Sequence, residues 1–170
     1  SSPDSEILAR ELASRFGVRA IKEEITVALS GFGCYERRDE AVKRVFPEYD
    51  PATWKMKIGI RQSGLFSNIP PIFYLTVIDP SGNAKDKILP ANEYLQIVAA
   101  SNFKQRTRMS MLYYHAEALH YCVVGTPNKH EQEQGFFVKY GDGAGDVMPI
   151  GNLYKTQVYQ LAEFLGIPKG

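Results

Sequence analysis

The chain has 170 residues, of which 44% are hydrophobic and 23% charged, and its formal net charge is +1. That length allows one compact domain with a sizeable core, and that composition excludes a disordered or membrane-embedded class. The near-neutral charge argues against a broad nucleic-acid surface, while leaving room for a local cluster of Lys and Arg that faces a phosphorylated small molecule. Cys34 and Cys122 lie far apart, with no CxxC and no His at ligand spacing, which argues against zinc. No apolar run approaches the roughly 20 residues of a membrane span and no leader pattern opens the chain, so a cytoplasmic protein with no membrane partner is expected.

Along the chain, SSPDSEILARELASRFG predicts a helix with Ser2 as N-cap, Pro3 in the first turn and Gly17 just past the end. Its Leu8, Leu12 and Phe16 recur on one helical face. The β-branched residues of VRAIKEEITVAL predict a strand that runs to the SGFG turn, and helix followed by strand is the order of an α/β fold. ERRDEAVKRVF has helical periodicity, but Pro47, Pro51 and Trp54 follow it. Residues 30–70 are therefore expected to be a short helix in an otherwise irregular insertion. IPPIFYLTVIDPSGN predicts a strand from Phe73 to Ile78 that stops at the DPSGN turn. Pro90 then opens a long helical stretch, with a break expected near Ser101 and Asn102. CVVG reads as a short buried parallel strand. The last segment, GNLYKTQVYQLAEFLGIP, predicts a helix with Val158, Leu161, Ala162 and Leu165 on one face, capped by Asn152 and ended by Gly166 and Pro168.

Ligands of open α/β sheets sit beyond the carboxyl ends of the strands, where loops and helix N-termini expose backbone N–H groups. GTPNKHE leaves CVV at such an end. Gly125 lets backbone approach a ligand, Thr126 offers a hydroxyl, and Glu131 offers a carboxylate suited to a hard cation such as magnesium. Taken alone, a solvated loop in which Glu131 caps a helix is the commoner arrangement. KYGDGAGD adds Lys139, Asp142 and Asp146 among three glycines, without the ligand alternation of a calcium loop. Lys155 falls near the start of the last helix, where the macrodipole disfavours a cation unless an anion is bound; it reads as a phosphate clamp or as a solvated surface lysine.

In NFKQRTRM, Lys104 and Arg108 share a helical face, whereas Arg106 lies about 200° away at roughly 100° per residue, so two surfaces are served. One guanidinium can pair with a phosphate or carboxylate of a substrate and the other with a structural acid. His115 and His120 have no acid at triad-like spacing and His130 adjoins Glu131, so all three are expected to be structural or solvated. Tyr113, Tyr114, Phe136 and Phe137 are core or dimer contacts, and Tyr113 is also placed to stack on a base.

Taken together and in order, NFKQRTRMSMLYYHAEALHYCVVGTPNKHE and GFFVKYGDGAGDVMPIGNLYKTQVYQLAEFLGIP resemble the NAD synthetase family, most strongly over residues 100–168. The resemblance implies an α/β fold of the N-type ATP pyrophosphatase kind, a Rossmann-like parallel sheet flanked by helices. It implies amidation of deamido-NAD (nicotinate adenine dinucleotide) to NAD with ATP, magnesium and ammonia: the carboxylate attacks the α-phosphate, giving an adenylate and pyrophosphate, and ammonia then displaces AMP. Carried over residue by residue, Thr126 and Lys155 fall on ATP, with Lys155 in a catalytic role, Glu131 on magnesium (Mg2+), and Arg106, Lys139 and Asp146 on deamido-NAD. A homodimer is implied, with the ammonia either free or supplied by a glutaminase domain or subunit, and no nucleic-acid partner. The family's SGGxDS loop and the region beyond the LGIP helix have no counterpart in these residues. The chain is therefore expected to be a single domain, 1–170, excised from a NAD synthetase and incomplete alone. The alternative is a non-catalytic dinucleotide-binding or dimerisation module.

Overall fold

A computed structural model of the chain describes residues 3–61 and 72–168. Its elements run α1 (Pro3–Arg15), α2 (Thr26–Gly31), α3 (Cys34–Val45), β1 (Lys55–Arg61), β2 (Ile72–Ile78), β3 (Ala84–Ile88), α4 (Ala91–Leu119), α5 (Lys129–Gln134) and α6 (Lys155–Phe164). Where one domain was expected, the chain divides into two compact units, Ser1–Ile25 with Arg106–Gly170, and Thr26–Gln105.

The unit Thr26–Gln105 is built on an antiparallel sheet in the order β1-β2-β3, registered so that Lys57, Thr76 and Asp86 lie side by side. Successive side chains of a strand point to opposite faces. In β2 that puts Phe73, Leu75 and Val77 on one face, where Leu75 and Val77 are fully buried with Ala41, Val42 and Phe46 of the α3 region and Ile97 of α4. Burial of each such large apolar side chain contributes about 1.5–3 kcal/mol. Phe73 adds a ring contact with Tyr94, centroids 4.2 Å apart. The DPSGN turn forms as expected: Asp79 accepts from the Asn83 backbone and side chain, and Gly82 takes φ 87°, which glycine tolerates without steric cost.

Several expectations are corrected here. Residues 18–25, read as a strand, form no ladder among the described residues, and Thr26–Gly31 is the short helix α2. β-branched residues favour a strand only where a neighbouring strand is there to pair with. The stretch read as irregular contains β1, whose Met56 and Ile58 pack against the core while Lys55 and Lys57 alternate outward. Nothing in the sequence pattern marks β3, AKDKI, because all five residues are exposed; it is held by backbone pairing to β2 and by surface contacts of Lys85, Asp86 and Lys87 with Glu48, Arg61 and Val45 O. The expected break at Ser101 and Asn102 is absent: α4 is a single helix of 29 residues.

The regular elements of the unit formed by Ser1–Ile25 and Arg106–Gly170 are helices, joined by long loops. α1 ends as expected at Gly17, φ 62°, where Val18 N–H donates to Ala13 O at 2.9 Å; the expected N-cap Ser2 lies outside the described residues. The CVV segment contributes one parallel bridge, Val124 to Val147, flanked by bonds from Asp146 N–H to Val123 O and from Gly125 N–H to Val147 O, each 2.8 Å. Met109, Ala116 and Val123 form its small buried cluster. The faces of α1 and α6 expected to be apolar leave Phe16 and Leu165 each 52% exposed. Among the described residues no helix is long and apolar enough to cross a membrane.

Candidate functional site

The GTPNKHE loop is organised by its own sequence. Asn128 is the N-cap of α5, and its side-chain oxygen accepts from the N–H groups of His130, 3.0 Å, and Glu131, 3.3 Å. Glu131, three residues on, reaches back and accepts from Asn128 N–H at 2.8 Å. This reciprocal capping box satisfies donors that a helix start otherwise leaves orphaned. Asn128 is only 3% exposed, so its polar atoms depend on those bonds. The helix-capping arrangement of Glu131 is thus present. A carboxylate has about four acceptor positions, and one backbone bond leaves others for a cation.

Two backbones cross at the base of the loop. A Cβ on Gly145 would lie 2.7 Å from the nitrogen of Gly125, so the close approach of the GTP and GAGD segments requires glycine there. The loop also grips the start of α6. Lys129 N–H donates to Leu153 O at 2.9 Å, and the Lys129 ammonium stands 4.4 Å from the centre of the Tyr154 ring. Contact with Tyr154 is the main cause that raises the Lys129 ammonium above the ordinary lysine value. His130 packs on the same Tyr154 ring, centroids 4.9 Å apart, and its Nδ1 accepts a long bond, 3.4 Å, from Lys155 N–H. Lys155 is the first residue of α6.

These contacts gather Thr126, Glu131 and Lys155 around one pocket of about 260 Å³, with Asn128, Phe137 and Asp142 also in its wall. Two carboxylates and a hydroxyl make a set of hard oxygen donors. Magnesium is held by one or two carboxylates together with substrate phosphates, so the residues present fit that ion. Among the described residues no cluster of three or more His, Cys, Asp and Glu forms a self-sufficient metal cage. Asp142 is partly engaged, since its Oδ1 accepts from Val138 N–H at 2.9 Å.

The other three predicted residues line neither this pocket nor a second one, about 550 Å³, whose wall includes Met109, Tyr113, Tyr114, Glu117 and Tyr140; Asp146 and Lys139 reach that wall only through their contacts with Tyr113 and Tyr140. Arg106 Nε donates to Lys139 O at 3.0 Å, and the Lys139 ammonium is 5.0 Å from the Tyr140 ring centre. Asp146 accepts from Tyr113 OH at 3.2 Å and from Val123 N–H at 2.7 Å, one bond on each oxygen. Burial first, and then that bond to Asp146, push the Tyr113 phenol above its ordinary value. Arg106 and Asp146 therefore already carry structural bonds.

Sequence reasoning does not single out Asn128, whereas His130, expected to be structural or solvated, has the structural contacts given above. The Asn-x-x-Glu spacing of a capping box was available to find Asn128. His115 also needs correction: it was expected to lack an acid, yet its Nε2 lies 2.8 Å from Glu23 Oε1, a partner 92 positions away.

The solved structure of NMN synthetase from Francisella tularensis resembles this chain with a TM-score of 0.57 at 22% identity, over 98% of this chain and 47% of that one. That likeness shows the fold, a Rossmann-like α/β one matched over part of its length. The NAD synthase family profile matches residues 74–170. Across 169 residues, 99% of the chain, it is 48% identical to the NH(3)-dependent NAD(+) synthetase of Rhizobium rhizogenes, covering 50% of that protein. With the enzyme of the same name from Mesorhizobium japonicum it shares 52% identity over 98% of the chain and 52% of the relative. The chain belongs to the NAD synthase family, and it spans about half the length of the curated relatives it matches.

Proposed function

We propose that this chain supplies part of the active site of an NAD synthetase that converts deamido-NAD to NAD with ATP and ammonia, through an adenylate. The observation that carries this reading is the gathering of Thr126, Glu131 and Lys155 on one pocket. The names of the relatives, which specify ammonia, favour free ammonia over glutamine as the nitrogen source.

In this reading the Lys155 ammonium binds phosphate oxygens and stabilises the charge that grows on the departing pyrophosphate. A cation at a helix N-terminus is unfavourable by itself, and a bound anion removes that penalty. The Thr126 hydroxyl donates to a phosphate oxygen. Glu131 and Asp142 hold magnesium, which when bound neutralises phosphate charge and polarises the phosphorus centre. The Phe137 ring walls the pocket and limits water. Arg106 and Lys139 supply positive charge to the phosphates of the dinucleotide, and Asp146 orients Tyr113, in the wall of the second pocket, for contact with its ring. A homodimer in the cytoplasm completes the proposal, supported by Leu112 and Tyr114 of α4, which are large, apolar or aromatic, and exposed.

The test is NAD formation from deamido-NAD, ATP and ammonia by the full-length protein and two variants. Glu131→Gln keeps an oxygen able to accept from Asn128 N–H, so the helix cap survives while the charge is lost. Its magnesium dependence is expected to weaken. Lys155→Ala removes a preorganised charge, a loss that typically lowers turnover about 100-fold or more. Normal kinetics in both variants would overturn the assignment.

A further inference from the structure

A third pocket, about 420 Å³, lies entirely within the unit Thr26–Gln105. Its volume is in the range of small-molecule sites, roughly 300–1,000 Å³. Met56 and Ile58 of β1 and Ile97 and Val98 of α4 give it an apolar floor, and Arg38 of α3 and Lys104 of α4 stand in its wall. No aspartate or glutamate lines it. The Arg38 guanidinium is already oriented, ion-paired with Asp39 Oδ1 through both Nε and a terminal nitrogen, each at 2.7 Å, and set 5.5 Å from the Tyr35 ring centre, with further N–H donors remaining. Ser101 and Asn102, which failed to break α4, also line this space and add neutral polar groups.

We propose that this pocket binds an amphipathic organic anion: an apolar chain of medium length seated on Met56, Ile58 and Ile97, with its carboxylate between Arg38 and Lys104. An apolar floor selects for burial of hydrocarbon, and a wall that holds the Lys104 ammonium and the remaining N–H donors of the Asp39-paired Arg38, with no carboxylate in the lining, selects the sign of the head group. The Lys104 ammonium thereby acquires a role separate from the nucleotide pocket. Much of the wall, from α3 and β1, precedes the residues matched by the family profile, which start at 74. The Cys34 thiol borders the same space, buried and donating to Ala100 O at 3.3 Å, and serves as a reporter of occupancy.

The experiment titrates the full-length protein with octanoate by calorimetry, with octanol and octylamine as neutral and cationic controls. In parallel, iodoacetamide labelling of Cys34 is followed in a Cys122→Ser background, because Cys122 is the exposed cysteine. Octanoate is expected to bind saturably, at least several-fold tighter than either control, and to slow Cys34 labelling. Arg38→Gln and Lys104→Gln are each expected to weaken octanoate about two- to five-fold, as loss of a partly exposed charge contact does. Equal binding of octanol overturns the assigned charge. No saturable binding, or binding that leaves both Cys34 labelling and the two variants unchanged, overturns the site.

Discussion

Replacing Asn128 by Ala removes one oxygen that serves two N–H groups, those of His130 and Glu131. Loss of an N-cap side chain typically costs about 0.5–2 kcal/mol. The upper part of that range applies here, because Asn128 is buried and water does not readily replace it. α5 has only six residues, too few to hold its shape without a cap. A loss of about 1.5 kcal/mol raises the population of the frayed loop roughly ten-fold. Amide hydrogen exchange of His130 and Glu131 reads this directly: both are expected to exchange about ten-fold faster in Asn128→Ala, while amides of β2 are unchanged. Asn128→Asp, which keeps the acceptor, is expected to restore protection. Unchanged exchange in the Ala variant would refute the capping argument and, with it, the account of how Glu131 and Lys155 are positioned.

His120 ends α4 in the left-handed region at φ 54°, with Tyr121 N–H bonded to Ala116 O at 2.8 Å. Glycine adopts that conformation freely, so His120→Gly is expected to stabilise by about 1 kcal/mol, seen as a higher midpoint in urea. Gly145→Ala drives a methyl group into the Gly125 backbone and is expected to destabilise by about 1–3 kcal/mol in the same assay, whereas an unchanged midpoint would contradict the backbone crossing. Asp79 is held below its ordinary value, first by the Asn83 side chain and then by the Asn83 backbone. Because the folded value is the lower one, its contribution is complete above the unfolded value of about 3.9 and is lost as pH falls through the folded value. The melting-temperature advantage of wild type over Asp79→Ala is therefore expected to hold at pH 6 and to shrink below about pH 4.

Glycine and proline made much of the fold legible in the sequence. Gly17 stops α1, the DPSGN turn stops β2, and Pro90 sits immediately before α4. The α/β class and the family also followed from the order of motifs in residues 100–168. The division into two units did not, because Thr26–Gln105 is held by contacts between residues as distant as Val42 and Ile97. β3 escaped for a related reason: an edge strand of exposed Lys and Asp carries no hydrophobic period. Within the candidate site, residue type and spacing single out Glu131 and Lys155 as candidates, and the fold brings both to one pocket. The bond that joins their loops, from Lys155 N–H to His130, spans 25 positions and leaves no local pattern.

The central claim is that Thr126, Glu131 and Lys155 form an ATP pocket, and calorimetric titration of ATP into the full-length protein tests it most directly. Binding is expected to need magnesium, to weaken markedly in Lys155→Ala, and to lose its magnesium dependence in Glu131→Gln while deamido-NAD binding persists. ATP binding that is indifferent to magnesium and to both substitutions would contradict the claim.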